Sequence, residues 1–460
     1  MKLSRTLVSI LFFLCLQNSY LFSAEENDPY HVTFFNVGQG NCTILKSPEN
    51  GVIVIDAGSS TLPKSVLSTI QLGNSITDYI KAYDSTYAEG EAKSLKFVIS
   101  HADKDHLNLV KLIINNLCPR GSTGLGGVSS EQPYDVKVIM GGWEKNYDPG
   151  ETYIPISKQF KEWIQGPGTE VDELTQKMLA SKLLKDLIGK NITKNELQKI
   201  SSIDQLQQDF KSASLDSLGQ SGNAIYSERL MFSLINADIP YIFGSDFVRG
   251  SDQFCMPNDE SFKFKMSDVE KILFFSVKNE GGDDTDNAPS VVMQANFGGK
   301  SVMLTGDKTI KETNWLINKF GNSLTLFKSD ILLATHHGSS GDFSLHWLYY
   351  NKPQFLVFSA CYSHGHPGYD VLSSSLLLEG TRLKELQIEE HYVSCSGDFI
   401  PFTGIEKGNN VETGKERTYY QIKTKYPIYA TTESQKYIRF TWEKDSQIKR
   451  PKITNFLVTN

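Results

Sequence analysis

His101, Asp103, Asp105 and His106 lie within six consecutive residues, after an apolar run and before a segment with helical spacing. Imidazoles and carboxylates are side chains that bind divalent cations, and four of them in one turn could hold one cation or two. Aspartates are also favoured at the start of a helix, where they cap backbone N–H groups. Capping explains the aspartates but not the paired histidines, so this cluster alone leaves both interpretations open.

Other ligand-type residues follow predicted strands elsewhere in the chain. Asp56 closes the run VIVID, Asp307 closes SVMLTGD, and His336 and His337 follow ILLAT. Strand ends of an α/β sheet converge on one edge, so these side chains could meet the first cluster in space. Each residue alone is more typical of a cap or turn than of a ligand, but their joint occurrence at strand ends argues against coincidence.

Apolar, β-branched runs bounded by Gly, Pro and Asn predict the strands that would position these residues. Helical spacing of apolar residues predicts helices at 62–83 and 107–117. Alternation of strands and helices indicates a layered α/β fold. The strands are expected at 31–37, 42–47, 52–58, 95–100, 136–140, 271–277, 290–295, 300–304, 330–334 and 354–359.

The remaining segments suggest an insertion and an extension. Residues 150–220 are rich in Lys, Glu, Gln, Leu and Ser with helical periodicity, which predicts a helical insertion at about 145–265. Residues 401–460 contain short β-like pieces and are expected to form a β-rich C-terminal extension of unknown role. The main domain is therefore expected to span residues 30–400.

Residues 1–24 contain, in sequence, the basic, apolar and polar segments of a secretory signal peptide. Lys2 and Arg5 precede the ten-residue apolar run LVSILFFLCL, and Phe22-Ser-Ala24 precedes two glutamates. Ten apolar residues are too few to span a bilayer, although an uncleaved anchor remains the alternative. We expect an exported protein, periplasmic or secreted, with no stable membrane insertion after cleavage.

Charge and cysteine content narrow the function classes. Without residues 1–24, which hold two basic residues and no acidic one, 44 Lys and Arg face 53 Asp and Glu, a net charge of −9. A strongly basic nucleic-acid-binding surface is therefore not expected. Five cysteines remain and none forms a CxxC pair, which argues against a structural zinc knuckle and leaves any disulfide pairing open.

Six motifs in order resemble the metallo-β-lactamase superfamily, and within it the hydrolase domain of ComEC-type DNA-uptake proteins. They cover roughly residues 31–115 and 270–375, and the order of all six is more specific than any one of them. The resemblance implies a metallo-β-lactamase-like αββα sandwich. The motifs are FFNVGQGNCTIL, VIVIDAG, VISHADKDHLNLV, DNAPSVVMQANFGGKSVMLTGD, ILLATHHGSSG and PQFLVFSACYSHGHPGYDVL.

The resemblance also implies a role for each matching residue. Asp56 looks like the carboxylate that orients a ligand histidine. His336 is similar to a residue that contacts substrate or assists proton transfer, His366 is expected to contact substrate, and Asp105 is counted with them as catalytic. Six residues resemble ligands: His101 and Asp103 of a first metal, Asp105, His106 and His337 of a second, and Asp307 bridging both.

Three positions depart from the wider superfamily. Asp103 stands where a histidine is usual, as it does in the ComEC-like group, and Asp284–Asn287 stands where a further histidine is expected. Carboxylate oxygens are harder ligands than imidazole nitrogens, and these replacements give the site more of them. The two divalent metal ions could therefore be Zn or Mn. Asn41 stands where the ComEC-like group commonly has an acidic residue.

The function implied is an exported hydrolase that cleaves phosphodiester bonds, with nucleic acid as one candidate substrate, by means of a metal-bound hydroxide. Two alternatives stay open. One is a hydrolase of a small molecule or headgroup, similar to phosphorylcholine esterases. The other is a catalytically inactive secreted binding protein on the same fold, because a fold alone does not determine function.

Overall fold

The computed structural model describes ten ranges of the chain, a few isolated positions between them and several short C-terminal strands. The remaining residues, among them the predicted signal peptide and most of 144–238, lie outside this description. The main ranges are 29–63, 66–83, 93–118, 134–143, 239–250, 254–320, 325–360, 366–368, 428–431 and 436–449.

The described chain is mixed α/β, which confirms the α/β part of the fold prediction. The helices are α1 (Thr69–Tyr83), α2 (Lys104–Leu107), α3 (Val110–Leu117), α4 (Ile310–Phe320) and α5 (Leu345–Asn351). The strands are β1 (Tyr30–Phe35), β2 (Thr43–Ser47), β3 (Gly51–Ile55), β4 (Lys93–Ile99), β5 (Tyr134–Met140), β6 (Tyr241–Phe243), β7 (Phe247–Arg249), β8 (Cys255–Pro257), β9 (Glu270–Ser276), β10 (Val292–Phe297), β11 (Lys300–Leu304), β12 (Ile331–Leu333), β13 (Phe355–Ser359), β14 (His391–Tyr392), β15 (Ile405–Asn409), β16 (Glu416–Tyr420), β17 (Lys423–Thr424), β18 (Ile428–Thr431), β19 (Tyr437–Trp442) and β20 (Lys452–Ile453).

The larger strands form two mixed sheets of eight strands each. The first sheet has the order β20-β19-β1-β2-β3-β4-β5-β6, and the second has the order β18-β13-β12-β11-β10-β9-β8-β7. Antiparallel hairpins make up one part of each sheet, while β3 to β6 and β11 to β13 run parallel. The parallel parts carry the chain segments that end at the candidate site.

Alternation of side chains along the strands builds the layers. In β4, Val98 belongs to an apolar core shared by both sheets, whereas Leu95 and Phe97 face the helical side. In β13, Val357 faces the shared core and Leu356 faces away from it. Burying one such side chain contributes roughly 1.5–3 kcal/mol, so the two-residue period holds the sheets face to face.

Helices cover the outer side of each sheet. On the first sheet, Ile76 of α1 and Ile113 of α3 pack into one core cluster with the outward residues of β3 and β4. On the second, Leu316 of α4 and Trp347 of α5 pack with outward residues of β11, β12 and β13. The described chain therefore has helices outside and two sheets inside.

Most strand predictions in 31–140 and 271–359 are confirmed within a few residues, but the helix boundaries differ. The helix predicted at 62–83 begins only at Thr69, and the one predicted at 107–117 is divided into α2 and α3. Asn108 and Leu109 separate these two short helices, and the first of them begins directly after Asp103.

Two domain boundaries also differ from the prediction. The helical insertion was expected to reach about residue 265, yet 241–257 forms three strands that belong to the two sheets. The extension was expected from residue 401, yet β18 pairs with β13 and β19 pairs with β1. Pairing between strands so distant in the chain leaves no local sequence signal, which explains both errors. The helical core of the insertion lies outside the described residues.

Within the described ranges, no helix combines the length and the apolar character needed to cross a membrane. The signal peptide predicted at 1–24 lies outside these ranges. Among the described cysteines, Cys42, Cys118 and Cys255 are free thiols.

Candidate metal centre

The predicted site residues follow strand ends that face each other across the two sheets. Asp56 and His101 come after the neighbouring parallel strands β3 and β4, and Asp307 and His336 come after β11 and β12. The sheets are joined at this edge by backbone hydrogen bonds such as Val291 N to Ser100 O, 3.0 Å. Ligand-type side chains from both sheets therefore meet in one place.

Asp56 holds the imidazole of His106 in position through a hydrogen bond to its Nδ1. Its Oδ2 lies 2.8 Å from His106 Nδ1, and its two oxygens also accept hydrogen bonds from the backbone N–H and the hydroxyl of Ser100 at 2.6 and 2.9 Å. Asp56 itself has a left-handed backbone, with φ of 54°. This network orients the imidazole so that Nε2 faces Asp307.

The first of two possible ion-binding groups consists of His101, His106 and Asp307, all of them buried. His106 Nε2 is 3.2 Å from Asp307 Oδ1, and His101 Nε2 is 4.0 Å from Asp307 Oδ2. Two ligands bound about 2.1 Å from one tetrahedral ion lie about 3.4 Å apart. These separations therefore suit donors to a shared cation.

The second group consists of Asp105, His106 and His337. His337 Nε2 is 3.5 Å from Asp105 Oδ2 and 3.5 Å from Asp307 Oδ2, while its Nδ1 donates to the carbonyl oxygen of Ser359 at 2.6 Å. Because His106 belongs to both groups, the two clusters are adjoining parts of one centre.

Four buried nitrogen and oxygen atoms of this centre, all of types that can bind a metal, have no hydrogen-bond partner among the described residues. They are His101 Nε2, His106 Nε2, His337 Nε2 and Asp307 Oδ1. Leaving one buried polar atom unpaired costs about 1–3 kcal/mol, and four such atoms facing one another need a compensating ligand. Divalent cations would satisfy these atoms, because imidazole nitrogen and carboxylate oxygen are their usual ligands. The residues present therefore fit a metal.

The imidazoles and carboxylates of the centre shift one another's pKa values. Burial opposes the ionised form of Asp307, but His106, His337 and His336 outweigh it and hold its pKa well below the usual range. Burial likewise opposes the charged form of His106, yet Asp307 and Asp56 raise its pKa well above the usual value. Burial opposes ionisation of Asp105 too, but His337, whose Nε2 is 3.5 Å from Asp105 Oδ2, and the charge of His106 lower its pKa.

His336 approaches Asp307 from the more open side. Its Nε2 is 3.5 Å from Asp307 Oδ2, and its Nδ1 lies 2.6 Å from Asp342 Oδ2. The ring of His366 is stacked on that of His336, with centroids 5.8 Å apart. Burial opposes the charge on His336, but Asp307 and Asp342 raise its pKa to about 9.

The backbone of this turn is unusual. His336, His337 and Gly338 all have left-handed φ angles, of 47°, 54° and 83°. Such conformations cost about 1–3 kcal/mol for each non-glycine residue and are concentrated at functional sites. The turn brings the Nε2 atoms of both His336 and His337 to 3.5 Å from Oδ2 of Asp307.

Asp103 lies beside His101. Its Oδ2 is 3.5 Å from His101 Nε2, with a side chain 24% exposed, and it belongs to neither possible ion-binding group. The structure thus brings five of the six predicted ligands into those groups and leaves Asp103 at their edge.

Close packing around the 101–106 turn explains two glycines. A Cβ added to Gly58 would lie 2.3 Å from the backbone carbonyl carbon of Asp105, and one added to Gly40 would lie 2.2 Å from the carbonyl oxygen of Gly58. Only residues without a side chain allow these segments to pack against the turn.

Sequence reasoning missed three residues that support the centre: Ser100, Asp342 and Ser359. Ser100 is adjacent to His101, and Asp342 stands six residues after His336, so neither has a distinctive motif. Ser359 contributes through its backbone carbonyl, which no residue type reveals.

Comparison with known proteins adds no identification: no family model matches the chain, and no curated protein matches it.

Proposed function

We propose that this chain is an exported metal-dependent hydrolase of the metallo-β-lactamase superfamily that cleaves phosphodiester bonds. The six ordered motifs support the family, and two inner sheets with outer helices fit the αββα sandwich that the resemblance implies. The observation that carries the proposal is the set of four buried donor atoms that face one another without hydrogen-bond partners. The signal-like residues 1–24 support export.

Two divalent cations, Zn or Mn, would supply Lewis-acid polarisation of a substrate oxygen and a water molecule of lowered pKa. The ligands would be His101, Asp105, His106, His337 and Asp307, with Asp103 contributing from the edge. Asp307 suits the shared position, because its Oδ2 lies 4.0 Å from His101 Nε2 while its Oδ1 lies 3.2 Å from His106 Nε2.

The protein's own groups would orient the substrate. His336 and His366 line the more open side of Asp307, where a phosphoryl oxygen could accept a hydrogen bond from an imidazole N–H. Asp56 keeps His106 from rotating, since its carboxylate holds the opposite ring nitrogen.

A small diester or headgroup is the second candidate substrate, and the surface charge favours it over a long nucleic acid. Asp284 and Asp286 are exposed on the loop whose Thr285 carbonyl oxygen accepts from the indole of Trp143. Gly142, the neighbour of Trp143, packs against the backbone of His101, so this acidic loop lies near the centre. Phosphate backbones bind poorly to acidic surfaces.

The test begins with the full chain stripped of metal by a chelator and reloaded with Zn or Mn. We expect at least one bound equivalent by elemental analysis and metal-dependent turnover of bis(p-nitrophenyl) phosphate. Asp307→Ala should lose about 1,000-fold in kcat, because several kcal/mol of stabilisation by the cations would disappear.

Glu443→Gln is the matched control, since Glu443 is exposed and follows β19 at the end remote from the site. Less than one equivalent of metal, or turnover that survives in Asp307→Ala, would refute the proposal. Comparing a glycerophosphodiester with single-stranded DNA then separates the two substrate classes.

A further inference from the structure

The imidazole of His336 is held on two sides by side chains that are not candidate metal ligands. Asp342 Oδ2 is 2.6 Å from its Nδ1, and the ring of His366 is stacked on its ring at an interplanar angle of 25°. The hydroxyl of Ser339 donates to the same Asp342 oxygen at 3.4 Å. The ring is thereby restrained with Nε2 facing the space beside Asp307.

His336 differs from the neighbouring histidines of the centre in two ways: it is more exposed to solvent, and it belongs to neither possible ion-binding group. The side chains of His106 and His337 are at most 1% exposed, and both belong to groups that could hold an ion. The side chain of His336 is 24% exposed and belongs to neither group. It is therefore placed to meet a molecule that arrives from solvent.

We propose that Asp342 is a positioning residue, which holds the Nδ1–H of His336 and so aims Nε2 at an oxygen of the bound substrate. This inference rests on the proposed hydrolase function and extends it to a residue that no motif indicated. Asp342 itself contacts no substrate and exchanges no proton. Its effect is to fix the orientation of the ring, in the way that a carboxylate orients a catalytic imidazole elsewhere.

The inference predicts coupling between Asp342 and His336. In metal-loaded full chain, Asp342→Asn should lower kcat for bis(p-nitrophenyl) phosphate by about 10–100-fold, the range typical of such orienting carboxylates. The KM and the bound metal should stay unchanged. In a His336→Ala background the same substitution should have less than about a twofold further effect, because its target is gone.

A second readout does not depend on turnover. With 15N-labelled histidine, the ring signals of His336, assigned by their loss in His336→Gln, should show the Nδ1–H in a strong hydrogen bond in the wild type and a shifted Nδ1–H signal in Asp342→Asn. Glu443→Gln, the same chemical change at an exposed site, should alter neither readout.

The outcomes separate this inference from the proposed function. Equal loss of kcat in both backgrounds, or a fall in metal content that follows the loss, would mean that Asp342 acts only structurally. Unchanged ring signals in Asp342→Asn would also overturn the inference. If the wild type hydrolyses no diester, the proposed function fails, and the ring signals still decide whether Asp342 orients His336.

Discussion

Asp56 and His106 form a hydrogen bond of 2.8 Å in which neither side chain is exposed to solvent. The carboxylate approaches one nitrogen of the imidazole and leaves the other directed at Asp307. Because the ring cannot turn without breaking this bond, the position of His106 is set before any ligand binds.

This relationship predicts a loss of metal affinity when the carboxylate is removed. Asp56→Asn should weaken binding of the first Zn equivalent by about 10–100-fold, measured by competition with a chromophoric chelator. Asp135→Asn, at a half-exposed position on β5, should leave affinity unchanged. Equal affinities for wild type and Asp56→Asn would contradict the orienting role.

Lys308 and Glu312 form a buried ion pair of 3.3 Å beside the centre. The ammonium also donates to Ser276 Oγ and to the carbonyl oxygen of Lys278, while Glu312 accepts from the backbone N–H groups of Glu280 and Asp283. The pair thus fastens α4 to the loop that contains the exposed aspartates.

Breaking that pair on one side should destabilise the fold strongly. Lys308→Met leaves Glu312 as an uncompensated buried charge, so the free energy of unfolding should fall by about 3–5 kcal/mol in urea titrations. The double variant Lys308→Met/Glu312→Leu should recover most of the loss. A double variant as unstable as the single one would show that packing, and not charge, is responsible.

The stability of the protein should rise between about pH 8 and pH 10.4 through Lys96. Burial, helped by Lys137 nearby, lowers the pKa of Lys96 to about 8, against an ordinary value near 10.4. In this window the unfolded chain binds more protons than the folded one, so the free energy of unfolding increases with pH. Below pH 8, Lys96 is charged in the folded state too, and its burial then lowers the free energy of unfolding by the full amount.

Replacing this lysine should remove that part of the pH dependence. Lys96→Met should be about 1–2 kcal/mol more stable than the wild type at pH 7.5, a value reduced for partial solvent screening, and the difference should shrink by pH 10. Lys271→Met, at an exposed strand position, should show no such trend. Parallel curves for wild type and Lys96→Met in urea unfolding would count against the prediction.

Glu270 joins the two sheets at the end remote from the centre. Its buried carboxylate accepts hydrogen bonds from Ser47 Oγ at 2.6 Å, Asn50 Nδ2 at 2.9 Å and the backbone N–H of Glu49 at 3.1 Å. These donors belong to the β2–β3 turn, whereas Glu270 begins β9 in the other sheet.

Removing this acceptor should therefore weaken the contact between the sheets. Glu270→Ala should lower the free energy of unfolding by about 2–4 kcal/mol, because buried donors lose their partner. Glu260→Ala, which affects only an exposed ion pair, should change it by less than about 1 kcal/mol. Thermal or urea unfolding of both variants is the measurement, and equal effects would exclude the proposed link.

The sequence by itself determined the local elements and most of the candidate donors. Strand and turn signals depend on side-chain period and on Gly, Pro and Asn, which act within a few residues, so β1 to β5 and β9 to β13 could be predicted closely. His101, Asp307 and His337 could be selected because each follows such a strand.

Only the tertiary structure decided which donors meet and what holds them. Asp342 reaches His336 through a left-handed turn, Ser359 acts through its carbonyl oxygen, and Asp103 lies at the edge of the donor groups. The strands β18 and β19 complete the two sheets although they lie more than 60 residues after β13. Backbone dihedral angles and long-range pairing are decided by the packing of the whole chain, so no local pattern of residue types contains them.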